Sequence, residues 1–381
     1  MVEGVASRAG TGAISIAARL ELTGGRPSGF DYLRIVLALL VVLVHAVGIS
    51  HGLAADADLY DSPLRGAVRL ILPMFFALSG FLVAGSLLRT RSIGAFLGLR
   101  FLRIYPALTV EVLLSALLIG PLFTTLPLAD YFSDPVFYRY LVNTTGHVSF
   151  ALPGVFLHNP QPVTVNSQLW TVPFELYCYL SLLLLAAAGG RRWPAIYPLA
   201  ALGLAAAHFG WRAMDGSLRL VPGGPMSGTL LVVCFLCGVA CYLYQDRIRL
   251  HAGYFLAALG SAWVLLAWVP GGDYLAPPAI TYACVYIGLT NFRRLRLLDG
   301  ADYSYGIFLY GFVVQQALAN LLPWSREWYL NAPLALLAVT VFAALSWHCV
   351  EKPALRLKGK LLQLESRWLR RSTLERACEP A

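Results

Sequence analysis

The stretch from Leu37 to Val47 reads LALLVVLVHAV and is apolar at every position except His45. Arg34 stands eleven residues before His45, at the start of the same apolar run. Because an α-helix rises about 1.5 Å per residue, eleven residues make close to three turns, and both side chains fall on nearly one face, roughly 16 Å apart. Ionisable groups in hydrocarbon are costly and usually face the interior of a helix bundle, where they have a function. The stretch therefore predicts a transmembrane helix with a buried ionisable pair.

Composition extends this prediction to the whole chain. Of the 381 residues, 58% are hydrophobic and 13% are charged, and the mean hydropathy is +0.66. Globular domains carry about 25% charged residues, so we predict an all-α, polytopic integral membrane bundle of about ten transmembrane helices. The apolar windows long enough to span are 32–50, 66–88, 104–124, 168–188, 194–210, 227–245, 252–268, 275–290, 301–322 and 331–350.

The distribution of positive charge predicts the orientation. Loops on one side of these windows hold only six of the 29 Lys and Arg residues: Arg65, Arg69, Arg139, Arg212, Arg219 and Arg326. The loops on the other side, together with both termini, hold the remaining 23. Cytoplasmic loops carry the excess of positive charge, so we expect both termini in the cytoplasm. Topology then explains the net charge of +9, and no nucleic-acid partner is required.

Three regions are predicted along the chain. Residues 1–29 are polar, small and basic and lack the apolar core of a signal peptide, so we expect a cytoplasmic N-terminal extension. Residues 30–357 form the membrane domain, and residues 358–381 form a basic cytoplasmic tail.

Three cysteines share one helical face. Cys234, Cys237 and Cys241 are spaced by three and four residues, which is compatible with a metal cluster. No His, Asp or Glu joins them, and buried cysteine commonly behaves as a small apolar residue. We therefore predict core packing and no metal.

His45 is the first candidate catalytic residue. A neutral imidazole is the natural general base near pH 7 for deprotonating a hydroxyl group. The alternative is a buried histidine that is hydrogen-bonded to a neighbouring helix and has only a structural role.

A basic loop precedes the third window. Arg89 and Arg91 are explained by topology and by contact with anionic lipid headgroups. Arg100 and Arg103 differ, because they are three residues apart, lie on one helical face and lead directly into a span. Two guanidinium groups so placed form a clamp for phosphates, which a phosphorylated cosubstrate reaching up from the cytoplasm would fit.

Two acidic residues lie well inside the predicted spans, away from their ends. Glu175 is part of an aromatic segment at the start of the fourth window, and Glu111 lies in the third. The Glu175 carboxylate could orient His45 or pair with Arg103. A structural ion pair inside the bundle is the alternative interpretation, and Glu111 allows either role.

The largest predicted outer loop covers residues 125–167. It is polar and aromatic with several prolines, and it contains a glycosylation sequon, Asn143-Thr144-Thr145, which matters only in a secretory-pathway protein. We expect the loop to cap a site from outside or to form a disordered connector, and its apolar content favours partial burial.

Six segments taken together resemble the membrane acyltransferase family three, the O-antigen and exopolysaccharide acetylase type, over about residues 30–357. Taken one at a time, several of these segments indicate only close helix packing at small residues such as Gly80. In chain order they are Arg34 and His45 separated by ten residues, Phe75–Leu82 (FFALSGFL), Arg100–Pro106 (RFLRIYP), Trp170–Tyr177 (WTVPFELY), Tyr303–Tyr310 (YSYGIFLY) and Glu351-Lys352-Pro353.

The resemblance implies transfer of an acyl group, usually acetyl, from cytoplasmic acyl-CoA to a hydroxyl of a cell-surface or secreted carbohydrate. In that family role, Arg100 and Arg103 would clamp the phosphates of acetyl-CoA and Arg34 would guide the thioester. His45 would be the general base, and Glu175 would hold the imidazole or position the acceptor sugar. The implied setting is a bacterial inner membrane, with a glycan or glycolipid acceptor and membrane lipids as partners and no metal.

The chain departs from the family pattern in places. Tyr310 and Gly311 stand where many members have a Trp-His pair, and Phe174 precedes Glu175 where a second glutamate is commoner. We expect the stand-alone form without an appended hydrolase-like domain. A transporter or flippase of a lipid-linked glycan is the alternative function, although no internal repeat or pair of broken helices supports it.

Overall fold

A computed structural model of the chain describes residues 14–90, 92–218, 224–295, 300–363 and 365–366. Arg91, Arg219 and most of both predicted terminal extensions lie outside the described residues. The described helices are α1 (Ile16–Leu22), α2 (Gly29–His51), α3 (Leu53–Asp61), α4 (Arg65–Arg89), α5 (Ile93–Leu114), α6 (Gly120–Phe123), α7 (Leu128–Ser133), α8 (Pro135–Leu141), α9 (Val172–Leu185), α10 (Ile196–Met214), α11 (Gly228–Leu243), α12 (Ala252–Trp268), α13 (Gly272–Leu275), α14 (Pro277–Gly288), α15 (Ser304–Leu321), α16 (Trp328–Ser346) and α17 (Lys352–Arg356).

The β structure within these ranges is small. Strands β1 (Ile14–Ser15) and β2 (Arg249–Leu250) pair antiparallel. The described residues are mostly helical, so the predicted helical class is confirmed. Part of the N-terminal extension is folded, because β1 leads directly into α1. Ser15 caps α1 by accepting a hydrogen bond from the backbone N–H of Ala18.

Five helical segments in the described part of the chain are long and apolar enough to cross a membrane: Gly29–His51, Arg65–Arg89, Ile93–Phe123, Ser167–Gly190 and Trp328–Gln363. Helices α11 and α12 are apolar as well, but shorter. These segments are the architecture expected of an integral membrane protein, because helices satisfy their own backbone hydrogen bonds in hydrocarbon.

The chain forms two compact units that alternate along the sequence. Unit 1 consists of Met1–Leu37, Tyr60–Ala84 and Tyr177–Arg296. Unit 2 consists of Ala38–Leu59, Gly85–Leu176 and Leu297–Ala381.

Unit 1 is held together by close helix approach at glycine. A Cβ atom on Gly80 of α4 would lie 2.0 Å from the carbonyl oxygen of Phe235 on α11. A Cβ atom on Gly238 of α11 would in turn lie 2.1 Å from the carbonyl oxygen of Ala77. Small residues on both partners therefore allow backbone contact, and the close packing predicted at Gly80 is confirmed.

A buried arginine joins three further parts of unit 1. The Arg69 guanidinium donates to both carboxylate oxygens of Asp273, at 2.8 and 2.7 Å. It also donates to the carbonyl oxygens of Leu266, at 2.5 Å, and Gly224, at 2.9 Å. The Arg69 side chain is only 1% exposed, so this fully hydrogen-bonded ion pair is a structural centre of the unit.

Unit 2 contains the segment 125–167 as a folded cap. Helices α7 and α8 bury Tyr131 and Tyr140 completely. Asn143 of the sequon is 3% exposed, donates to the carbonyl oxygen of Ser149 and accepts from the Ser149 backbone N–H. The disordered-connector alternative is therefore wrong for this segment, and Asn143 stabilises a turn instead of presenting its amide to solvent.

Candidate active site

His45 lies on α2, in the part of that helix that belongs to unit 2. Arg34 lies eleven residues earlier on the same helix, as the spacing predicts. The imidazole packs edge-on against the ring of Phe312 on α15, with 5.2 Å between ring centroids. In the described part of the chain no side chain is hydrogen-bonded to the imidazole, which is half-buried.

Helix α15 also supports the backbone of α2 one turn before His45. Gln315 is fully buried, and its Nε2 donates to the carbonyl oxygen of Val42 at 2.9 Å. Gly311 allows this approach, because a Cβ atom there would lie 2.8 Å from Cγ2 of Val42. Phe312 and Gln315 together fix the turn of α2 that presents His45.

Arg103 occupies an acidic environment near the start of α15. Its Nη2 lies 2.5 Å from Oδ2 of Asp302, and its Nη1 lies 3.6 Å from Oε2 of Glu351. The guanidinium also lies over the ring of Tyr305, 5.6 Å from the centroid. Glu351 is itself buried and accepts a hydrogen bond from Ser346. Arg103 is therefore held in a fixed orientation by two carboxylates and one aromatic face.

Arg100 lies one helical turn before Arg103 on α5 and has different surroundings. Its Nη2 donates to the hydroxyl of Ser86 at 3.3 Å, and its guanidinium carbon lies 5.8 Å from the centroid of the Phe96 ring. Arg100 and Arg103 therefore lie one turn apart on the same face of α5, as their spacing predicts.

Glu175 lies in the first turn of α9, which begins at Val172 directly after a 3-10 turn. Pro173 takes the second position of the helix, where its missing N–H breaks no helical hydrogen bond. The role of its carboxylate, towards His45 or towards Arg103, stays a prediction.

Glu111 belongs to a separate buried polar layer. Its Oε1 accepts from Asn166 Nδ2 at 2.7 Å and from the Ser115 hydroxyl at 2.8 Å. Asn166 and Gln168 also donate to the Leu309 carbonyl oxygen on α15, at 3.0 and 3.1 Å. Glu111 and Asn166 therefore join α5, the end of the cap and α15 through hydrogen bonds.

The residues that make these contacts lie on one face of α15 and of the turn that precedes it. Asp302 and Tyr305 contact Arg103, Leu309 accepts from the polar layer, Phe312 contacts His45 and Gln315 bonds to α2. The intervals are three, four, three and three residues, which is helical periodicity. From Tyr305 to Phe312 the rise is about 10 Å, so α15 connects the Arg103 group to the histidine.

Several of these residues were not singled out by sequence reasoning. Glu351 belongs to a segment that resembles the family and Asp302 directly precedes another, but neither received a role, and Gln315 was not considered. A polar pair, Gln315-Gln316, inside an apolar window was the available signal, because buried amides in a membrane segment require partners. Among the described residues no group of three His, Cys, Asp or Glu side chains could hold a metal ion.

A family model and two named relatives match most of the chain. A family model described as an acyltransferase domain matches residues 28–350. Nodulation protein 10 of Rhizobium leguminosarum bv. viciae is 30% identical over 380 residues, which cover 90% of this chain and 97% of the relative. The O-acetyl transferase of Shigella phage Sf6 is 25% identical over 341 residues, with 88% and 98% covered. No solved structure matches the chain. The chain therefore belongs to this acyltransferase family and is an acyltransferase of the O-acetyltransferase type.

Proposed function

We propose that the enzyme transfers an acetyl group from cytoplasmic acetyl-CoA to a hydroxyl of a cell-surface or secreted carbohydrate, with His45 as the general base. The observation that carries the proposal is the setting of His45, an imidazole in an otherwise apolar helix that Phe312 and Gln315 hold from α15. In the described residues no carboxylate is hydrogen-bonded to it, which favours the neutral imidazole that a base requires.

The proposed step is a direct transfer. His45 removes the proton of the acceptor hydroxyl as that oxygen attacks the thioester carbonyl. The tetrahedral intermediate collapses with cleavage of the carbon–sulfur bond, and the thiolate of coenzyme A takes the proton from the imidazolium. The products are an O-acetylated sugar and free coenzyme A, and the imidazole is neutral again. Phe312 and Gln315 act as positioning residues for this base.

The acetyl-CoA donor would be held by Arg100, Arg103 and Arg34. Arg100 and Arg103, which lie on the same face of α5, would contact the phosphates of acetyl-CoA, and Arg103 is oriented by its carboxylates. Arg34 would guide the pantetheine arm towards His45, since roughly 16 Å of helix α2 separates them. Glu175 would hold the imidazole of His45 or position the acceptor sugar.

We further propose a multi-pass protein of the bacterial inner membrane with about ten spans and both termini in the cytoplasm. The positive-charge distribution supports this orientation. Residues 1–29 and 358–381 would be cytoplasmic extensions of a membrane domain over 30–357. The donor would then bind from inside, and the cap over residues 125–167 would face outward.

The relatives and the family support acetyl as the transferred group and a carbohydrate as the class of acceptor. One is named an O-acetyl transferase, and the family likeness of the sequence segments supports a carbohydrate such as an exopolysaccharide, O-antigen or lipo-oligosaccharide as acceptor.

The test uses the purified protein in nanodiscs with acetyl-CoA labelled in the acetyl group and a pool of glycolipids and polysaccharides from the host. We expect alkali-labile label in the carbohydrate fraction, and Arg100→Ala should raise the acetyl-CoA concentration that gives half-maximal transfer. Arg89→Ala, at the end of α4, is the matched arginine control, and it should leave that concentration unchanged. Failure to bind or transfer the acetyl group would refute the donor assignment.

A further inference from the structure

A groove in unit 1 shares no residue with the candidate active site. Its volume is about 620 Å³, and its walls come from α10, α11, α14 and the turn after α11. The lining is predominantly apolar, with alanine, leucine, valine, proline and cysteine side chains. Ligand pockets have this size and character, with a few polar groups that fix the orientation of the ligand.

One side of the groove opens onto the outer surface of the unit. Leu202 of α10 lines the groove and is 68% exposed, and Pro278 of α14 is exposed as well. Leu199, one turn before Leu202, is also exposed. In the proposed ten-span arrangement α10 crosses the membrane, and this exposed apolar surface would then face lipid and make the groove accessible from the bilayer.

The groove has the length of one lipid leaflet. Its α11 wall runs from Val233 to Tyr244, and eleven residues of helix rise roughly 16 Å. The hydrocarbon core of a bilayer is about 30 Å thick, so this wall matches one half of it. A single acyl chain of one leaflet would therefore fit along α11.

One end of the groove carries positive charge. Arg247 lines that end, is exposed, and lies over the ring of Tyr244 at 5.6 Å from the centroid. Arg249 is exposed two residues later, and Asp246 is the acidic neighbour on the same turn. Tyr244 and Tyr282 also line this end, where aromatic side chains are expected at a membrane–water interface.

We propose that this groove binds an anionic phospholipid of the cytoplasmic leaflet. One acyl chain would lie along α11 between α10 and α14, and the phosphate would accept hydrogen bonds from Arg247. The charge of Arg247 is complementary to the phosphate, and the apolar walls of the groove are complementary to the chain. The position of α10 and α14 in the membrane and the side of the membrane both follow from the proposed ten-span topology, on which this proposal rests.

The test measures lipid binding to the delipidated full-length protein by native mass spectrometry, with dioleoyl phosphatidylglycerol and dioleoyl phosphatidylcholine as probes. We expect the wild-type protein to bind phosphatidylglycerol about fivefold more tightly than phosphatidylcholine, the effect of one basic residue at the membrane surface. Arg247→Gln should remove this preference, and the matched control Arg249→Gln should keep it.

A second variant tests whether the apolar walls of the groove hold the acyl chain. Ala240→Phe fills the groove from α11 and should weaken binding of both lipids. Equal binding of the two lipids by the wild-type protein, or equal effects of the two arginine variants, would overturn the proposal. Unchanged binding by a folded Ala240→Phe protein would also overturn it, because the chain would then lie elsewhere. If Ala240→Phe does not fold, the arginine pair decides the outcome.

Discussion

Gln315→Leu should separate catalysis from stability. Leucine has a similar volume, so the helix contact persists, but the hydrogen bond to the Val42 carbonyl oxygen is lost. A buried hydrogen bond contributes about 1 kcal/mol net. Val42 lies inside α2, where the helix supplies its own N–H partner, so no backbone group is left unsatisfied. Gln315 Oε1 has no partner in the described structure, and removing it offsets part of this cost.

The expected result is a change in unfolding free energy within about 1 kcal/mol and a large change in turnover. If the turn that presents His45 moves by about 1 Å, the rate of transfer falls roughly 100-fold. The fall should appear in kcat, with little change in KM for acetyl-CoA, because the donor contacts are remote along α15. The assays are acetyl transfer in nanodiscs and thermal unfolding in the same preparation.

Gln316→Leu is the matched control, because it makes the same substitution at the neighbouring glutamine, whose hydrogen-bond partners lie in the cap instead of on α2. Gln316 Nε2 donates to the Gln161 and Thr164 carbonyl oxygens, at 2.8 and 2.7 Å, and its Oε1 accepts from Asn159. Its loss leaves buried groups of the cap unpaired, at about 1–3 kcal/mol each, so stability should fall more than for Gln315→Leu. A Gln315→Leu protein with wild-type kcat would refute the positioning role.

Three further variants test other parts of the structure. Arg69→Leu leaves the Asp273 carboxylate unpaired and should cost about 3–5 kcal/mol of unfolding free energy, measured by denaturation, whereas Arg65→Leu at the start of α4 should change it little. Asp302→Asn removes a charged partner of Arg103 and should raise KM for acetyl-CoA more than it lowers kcat; an unchanged KM in a folded protein would separate this ion pair from donor binding. Gly80→Val would place side-chain atoms against α11 and should abolish recovery of folded protein, judged by size-exclusion chromatography, and normal recovery would contradict the close approach.

Local features of this structure were readable from sequence because they depend on spacing along one helix. The eleven-residue interval between Arg34 and His45 places both on α2, and the small residue Gly80 marks a close helix contact. The charge and hydropathy of the chain indicate a helical membrane protein, because the bilayer admits few other structures.

Contacts between distant segments were not readable in this way. Arg103 pairs with Asp302 and Glu351, which lie about 200 and 250 residues later, and no periodicity relates them. The sequence left Glu175 with two possible partners, His45 and Arg103, because spacing along one helix says nothing about distances between helices. Gln315 acquires a role only when the approach of α15 to α2 is known.

The central claim is that His45 is the base that activates the acceptor. The most direct measurement is the initial rate of acetyl transfer by His45→Ala and His51→Ala, each purified in nanodiscs and shown to be folded by thermal unfolding. His51 is the control, because it lies at the end of the same helix and pairs with Glu327. The account predicts that His45→Ala lowers the rate by at least about 100-fold, in the range of lost general-base catalysis, while His51→Ala stays near wild type. Full activity in folded His45→Ala protein would contradict it.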